Sequence, residues 1–330
     1  MMINFNDGVE QFNEFLGSER KTTILYNGVR YMLKYPDPVR QHNLKDILSY
    51  KNNQYSEHIG SSIFRACGFN AQETCLGYFT DPDGKKKIVV GCKDFTQDGS
   101  KLFEISKLAN QTLTSEEKLT ASIENVLTII NTSPFIKNKK NIIDNFWDMF
   151  VIDALIGNKD RHFGNWGILL KNGKIDFAPI YDCGSSLAAL IDDEQIAKLL
   201  SNLTEFKSKE YNVPSVYYAA GKRIFYHEIF RNPPNDLIEA IKRVTPKIDM
   251  IKISEIVDST PIISETRKEY LKKAMNMRYE QILLPALKRI LQFENDIIKT
   301  KPTLMERLED GKSKAAQQEK PANKAKKREL

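Results

Sequence analysis

Leu155-Ile156-Gly157-Asn158-Lys159-Asp160-Arg161-His162-Phe163-Gly164-Asn165-Trp166, followed by Ala178-Pro179-Ile180-Tyr181-Asp182-Cys183-Gly184, is the part of the chain on which the fold turns. It is entered by Asn141 to Ile156, apolar on most sides (Ile142, Ile143, Phe146, Trp147, Met149, Phe150, Ile152, Leu155), a pattern that predicts a helix buried inside a larger lobe. Gly157-Asn158 stops that helix. Between the two segments, Trp166 to Leu170 and Lys174 to Ala178 turn at Asn172-Gly173, a short hairpin signal. The order is therefore helix, loop, hairpin, loop. Asp160, Asn165 and Asp182, three oxygen donors, all fall on loops at the ends of regular elements.

Toward the N-terminus the texture changes. Residues 22–35 form two β-rich runs around Asn27-Gly28, a hairpin. Tyr55, Ile59, Ile63, Phe64 and Cys67 recur with helical period from Tyr50 to Cys67, and Gly68 ends the run. A second hairpin runs from Thr74 through the turn Asp81-Pro82-Asp83-Gly84 to Cys92. From Ser115 onward helical patterns dominate, continuing through Leu127-Thr-Ile-Ile and later over Asp193 to Phe206, Pro234 to Val244 and Glu265 to Lys299, the last kinked near Pro285. The expected fold class is α+β and two-lobed: a small β-rich lobe over 1–100, a larger mostly helical lobe over 101–308, and a basic tail over 309–330. The tail is rich in Lys, Ala, Gln and Pro, too poor in apolar residues to offset its ordering entropy, and is expected to be disordered.

Composition narrows the functions available. With 330 residues, 41% of them hydrophobic, the chain can bury a core too large for one small domain. Its net charge of +6 rests mainly on the last thirty residues, whose nine Lys/Arg and five Asp/Glu carry +4. The body is close to neutral and holds no base-reading or stacking motif, so no specific nucleic-acid partner is expected. Four cysteines without C-x-x-C spacing point to reduced thiols rather than a zinc site or disulfide scaffold. No apolar stretch is long enough to span a bilayer and no basic-then-apolar N-terminal segment is present, so a cytoplasmic protein without a membrane span is expected.

Phosphoryl transfer needs an acceptor held in line and phosphate charge neutralised by metal, which carboxylates and an amide at fixed spacing can supply. In the protein-kinase pattern a catalytic-loop Asp stands five residues before a metal-binding Asn, and a D-x-G Asp follows. Asp160 and Asn165 have that spacing, and Asp182-Cys183-Gly184 lies 17 residues beyond, with Cys where Phe is usual. Asp160 is expected to take the proton of an attacking hydroxyl, and Asn165 and Asp182 to hold Mg²⁺ against ATP. Lys34, on the return strand of the first hairpin, is placed to pair the α/β-phosphates, and Glu57 on the next helix to orient it. Gly17-Ser18-Glu19-Arg20-Lys21 is the only candidate phosphate loop, with Gly17, Ser18 and Lys21 as its contacts, and it lacks G-x-G-x-x-G. Asp153, a carboxylate on an apolar helix, reads as an anchor of the catalytic loop, and Cys183 as a packing residue. His42, His58 and His227 show no metal-ligand spacing, while Ser185 and Ser186 follow the metal loop.

Gly157 to Asn165 and Ala178 to Asp182 resemble the signatures of the HipA-like serine/threonine protein kinases, most similar to their cell-translocating kinase A branch. The resemblance implies an ATP- and Mg²⁺-dependent kinase that phosphorylates protein hydroxyls and itself. It implies Asp160 as base, Asn165 and Asp182 as metal ligands, and Lys34 on ATP. It also groups His162 with the catalytic loop as a brace, and Lys93, Asp94 and Phe95 with the nucleotide-binding residues. Entry into host cells without a cleavable signal is a further implication. Only sixteen residues precede the phosphate loop, where typical family members carry an extra N-terminal subdomain. Two alternatives stay open on the residues alone: a small-molecule or phosphoinositide kinase, and a pseudokinase scaffold that binds partners through its helical lobe and basic tail.

Overall fold

The computed structural model describes residues 2–12, 21–36, 52–80, 84–114 and 121–300. The expected phosphate loop at Gly17 and Ser18, the helix start at Ser115, His42 and the basic tail lie outside these residues. Met1–Leu287 form one compact unit and Lys288–Leu330 a second.

A six-stranded sheet comes first: β1 (Ile3–Asn4), β2 (Val9–Gln11), β3 (Lys21–Tyr26), β4 (Val29–Lys34), β5 (Thr74–Thr80) and β6 (Lys86–Lys93), in the order β1-β5-β6-β4-β3-β2. β3 and β4 form the predicted hairpin around Asn27-Gly28, both at positive φ (50° and 77°), and β5 and β6 the second one. The strands β1 and β2 have no counterpart in the sequence reading, because two and three residues are too short to show a period. They lie at opposite edges of the sheet although only Phe5–Gly8 separates them. Six strands laid flat would be about 24 Å across, whereas five Cα steps reach at most about 18 Å. The sheet is therefore curled, and Phe5 fills its interior with Ile24, Leu33, Tyr35 and Val89. Gly77 and Gly91 make that possible: a Cβ at either would stand 2.5 or 2.4 Å from the Phe5 ring.

Helix α1 (Asn53–Ala66) crosses from β4 to β5 as predicted, ending at Cys67 and Gly68 (φ 83°). A third strand joins the expected short hairpin. β7 (Lys101–Glu104) pairs with β8 (Gly167–Lys171), which pairs with β9 (Lys174–Phe177). The helical part follows with α2 (Ile105–Thr112), α3 (Ile123–Thr132) and α4 (Lys139–Ile156). α4 is buried nearly all round; its Phe146 and Phe150 meet Trp147, Trp166, Tyr217 and Tyr226 edge-on or tilted, and Phe150 stacks on Phe230. Each such aromatic contributes roughly 2–3 kcal/mol by leaving water. Asn138 caps its start, and Gly157 at φ 68° ends it, as its sequence position predicts.

The expected helix over 193–206 is two helices, α5 (Asp193–Ser201) and α6 (Leu203–Tyr211). Asn202 ends the first and caps the second by accepting the Glu205 amide at 3.2 Å, a local bond that competes with continuation of the helix. A hairpin absent from the sequence reading, β10 (Pro214–Ala219) and β11 (Lys222–Phe225), leads into α7 (Tyr226–Arg231). Then come α8 (Asn235–Val244), α9 (Met250–Ser259), α10 (Glu265–Arg278) and α11 (Leu284–Thr300). The disturbance expected at Pro285 is a π-helical turn over Tyr279–Leu283, in which the Leu284 amide bonds the Tyr279 carbonyl five residues back. Proline has no N–H to continue the α pattern, and the wider turn absorbs the defect.

Candidate active site

The catalytic loop is built on two buried groups. Asp153, on the last turns of α4, is fully buried and accepts from Asn158 Nδ2 at 2.9 Å and from Arg161 Nε and Nη2 at 2.8 and 3.0 Å. A buried carboxylate without such partners is costly, so the loop must return to it. Asn158 in turn accepts the Asp160 amide through its side chain at 3.1 Å, and its carbonyl accepts the Tyr226 hydroxyl at 2.7 Å. Asp160 is thus held at its own backbone from behind.

Arg161 joins this loop to the metal loop. Its guanidinium donates to the carbonyl of Asn165 at 2.8 Å, to the carbonyl of Tyr181, and to Cys183 Sγ at 3.6 Å. Asn165 donates its amide to the Asp160 carbonyl at 2.6 Å, which leaves the amide oxygen as its donor toward a cation. Tyr181 donates its hydroxyl to the Gly164 carbonyl at 3.2 Å. Asp160, Asn165 and Asp182 are brought together in this way.

Asp182 takes a left-handed backbone, φ 61°, which aims it out of line with its neighbours. The Lys34 ammonium lies 2.8 Å from Asp182 Oδ1 and 2.9 Å from Glu57 Oε2, so the strand lysine bridges the helix carboxylate and the metal-loop carboxylate. Glu57, fully buried, also accepts the Cys183 amide on its other oxygen at 3.1 Å. Burial would raise the Asp182 carboxyl, but Lys34 at contact distance, then Arg161 and Lys21, hold it below its usual range. Asp160 is pushed the other way: burial raises it, the nearby Asp182 charge adds to this, and His162, Arg161 and a hydrogen bond from Ser185 pull back. Two carboxylates with pKa values driven apart are suited to different roles, one a permanent anion and the other a proton acceptor.

The other expected site residues divide. Lys21 stands opposite Lys34 in the β3–β4 register, and its charge reaches Asp182. His162 is exposed and accepts the Gly164 amide on Nδ1 at 3.0 Å, a bracing contact within the loop. Lys93 pairs with Glu73 at 2.9 Å, and Asp94 is engaged by Arg30 and by Thr96, so both side chains are committed to the sheet's margin. The Phe95 ring lies 6.1 Å from that of Tyr181, beside Asp182. Three residues escaped the sequence reading. Arg161 stood eight residues beyond Asp153, behind the nearer Lys159, and nothing in the spacing marked it as the partner. Asn158 carried no signal beyond its turn propensity. Gly60 is legible only in three dimensions: a Cβ there would stand 2.7 Å from Cys183 Cβ, so α1 can approach the metal loop only at glycine.

The donor set fits Mg²⁺. Among the described residues no cluster of three or more His, Cys, Asp or Glu could form an all-protein cage. An ionised Asp182 and the amide oxygen of Asn165 leave room for phosphate oxygens and water, as this ion prefers.

The HipA-like C-terminal domain family matches residues 16–251. The chain belongs to that family. The HipA-like chain is 37% identical over 278 residues to the serine/threonine-protein kinase CtkA of Helicobacter pylori strain J99, covering 82% of this chain and 83% of that one. Its structure resembles the crystal structure of the H. pylori proinflammatory kinase CtkA with a TM-score of 0.79 and 34% identity, over 89% of this chain and 99% of the other. The HipA protein of a Shewanella oneidensis toxin–antitoxin complex shares the fold, with a TM-score of 0.50 at 14% identity, over 90% of this chain and 69% of that one. The two-lobed α+β expectation is borne out by these likenesses.

Proposed function

We propose that this chain is an ATP- and Mg²⁺-dependent serine/threonine protein kinase that also phosphorylates itself. The observation that carries the reading is the Lys34 ammonium held between Glu57 and Asp182, next to a loop that presents Asp160 and Asn165. The named kinase relative fits it, and fits neither the phosphoinositide nor the scaffold alternative.

In the reaction the acceptor Ser or Thr Oγ forms a bond to the γ-phosphorus as the bond from that phosphorus to the bridging oxygen of ADP breaks, and the hydroxyl proton passes to the Asp160 carboxylate. Asp160 has a raised proton affinity and its backbone is fixed by Asn158, so it meets the hydroxyl in one orientation. Lys34, oriented by Glu57, would meet the phosphates, with Lys21 across the β3–β4 pair from it. Asn165 and Asp182 would hold Mg²⁺, which when bound neutralises phosphate charge. Phe95 and the chain at Lys93-Asp94 are assigned to the nucleotide's base.

No described helix is long and apolar enough to cross a membrane. The four cysteines are free thiols, which suits a reducing cytoplasm, and we place the enzyme there. Incubation with Mg-ATP followed by phosphosite mapping by mass spectrometry is expected to find phosphoserine or phosphothreonine on a protein substrate and on the chain itself. No transfer to either overturns the reading.

A further inference from the structure

The surface beside Asp160 carries positive charge that the mechanism above does not use. Lys159, between Asn158 and Asp160, is exposed and makes no ion pair among the described residues. Two elements are tied to the loop on which it sits. The first is the β10–β11 hairpin with α7, whose Tyr226 hydroxyl donates to the Asn158 carbonyl at 2.7 Å. Three residues before Tyr226, Arg223 is exposed, and among the described residues its guanidinium bonds the Ser215 carbonyl, at 2.9 Å, and no carboxylate. The second is α6, fixed through Glu210. That carboxylate pairs with Arg278, whose Nε donates to the Leu155 carbonyl at 2.7 Å, at the end of the helix that leads into the loop.

Lys209, next to Glu210, makes no ion pair among the described residues. The three cations thus stand on the catalytic loop itself and on two elements bonded to it or to the helix that leads into it. Glu210 is a carboxylate whose charge reaches Lys159, but it is buried and already taken by Arg278 and by the Tyr270 hydroxyl. Glu124, at the far end of the hairpin, is engaged by the Ala220 amide. Lys159 lies within reach of the other two charges. The protein packed around the base of its otherwise exposed side chain comes first, and then, against the pull of Glu210, the like charges of Lys209, Arg278 and Arg223 lower the proton affinity of Lys159. Crowding cations without a carboxylate on any of them is unfavourable in the free protein, and an anion bound at the patch would reverse the sign of that term.

We propose that Lys159, Lys209 and Arg223 form an anion-recognition patch beside the catalytic base, which selects protein segments whose acceptor Ser or Thr is flanked within a few residues by carboxylate or phosphate groups. This rests on the kinase reading and names its substrate class. A single acidic flanking residue should raise kcat/KM by about fivefold over a neutral one, the scale of one exposed ion pair. High salt should shrink that preference, since exposed charges are screened.

The test uses the full chain with Mg-ATP and a positional peptide library. Each peptide carries one Ser or Thr acceptor, with Asp, phosphoserine, Asn or Lys placed in turn at each flanking position. The expected result is a preference for the acidic peptides at one or two positions, with the Asp and phosphoserine arms showing which anion is read. The variant Lys209→Glu with Arg223→Glu should turn that preference toward Lys-bearing peptides. Should it fail to fold by circular dichroism, Lys209→Gln with Arg223→Gln should flatten it instead. Equal rates on acidic and neutral peptides, a preference that survives either variant or 0.5 M salt (about three times physiological), or competition by duplex DNA in place of acidic peptide would each overturn the patch. Autophosphorylation with no peptide transfer would also overturn it while leaving the kinase reading standing. No transfer of any kind overturns both.

Discussion

Asp182 shows how one residue can be constrained twice, by its charge and by its backbone. At φ 61° a side chain with a Cβ costs roughly 1–2 kcal/mol, least for Asn and Asp, whose short polar groups bond locally. Asp182→Asn should therefore keep its melting temperature close to that of the parent while phosphoryl transfer falls on the order of 10³-fold, the scale of losing one charge-stabilising group. Asp182→Ala should lose transfer and stability together, which paired calorimetry and kinase assays would separate. As the proposed base, Asp160 should set the acid limit of the reaction. Burial first, then Asp182, raises its proton affinity, and only the ionised form accepts a proton. Activity should therefore fall with decreasing pH at a midpoint above the ~3.9 of a free Asp. The Ser185 hydrogen bond favours the ionised form, so Ser185→Ala should move that midpoint to higher pH, read from kcat/KM against pH. Arg161→Met removes the ion-pair partner of the fully buried Asp153 and should cost about 3–5 kcal/mol by chemical denaturation. Asp153 was readable as an anchor because a carboxylate on an apolar helix demands a partner. That Arg161 also reaches Tyr181 and Cys183 was not, since those contacts cross 20 and 22 residues of chain.

At the scale of elements, α1 carries both Glu57 and the neighbouring His58, whose Nδ1 lies 3.1 Å from Thr74 Oγ1 on β5. Burial, then the charge of Arg65, lowers the His58 pKa to about 4. A histidine depressed in this way stays neutral in the folded chain while the unfolded chain takes up a proton below ~6.5. Stability should accordingly be lost as pH falls from about 6.5 toward 4, by up to roughly 3 kcal/mol at the lower end. His58→Gln should remove most of that slope, measured as urea midpoints over this range. Long periodic elements such as α1 and α4 were legible because every turn repeats the same apolar signal. The break at Asn202 and the strands β1, β2 and β7 were not: a run of two to four residues shows no period, and its existence depends on the partner that bonds it. The β10–β11 hairpin was missed for another reason. Its turn at Ala220-Gly221 lacks the Asn-Gly or Asp-Gly pair that marked the others.

For the molecule as a whole, the proposed roles of Lys34, Glu57, Asp160, Asn165 and Asp182 predict a cleft that binds nucleotide with metal. Mg-ATP at a hundred times its dissociation constant should stabilise the native state by about 2.7 kcal/mol. The melting temperature should rise accordingly, and EDTA should cancel both the transfer and most of the rise. The sequence alone determined the family and the kinase reading, because residue types at fixed spacing along one loop are local facts: an Asp five before an Asn, a D-x-G seventeen beyond, and helices and hairpins whose periods persist. What only the tertiary structure decided are the relations across distance. These are the closing of the sheet on Phe5, the reach of Lys34 to Asp182, the fit of Gly60 to Cys183, and the gathering of Lys159, Lys209 and Arg223. Each joins residues tens of positions apart, and packing rather than spacing along the chain sets such distances.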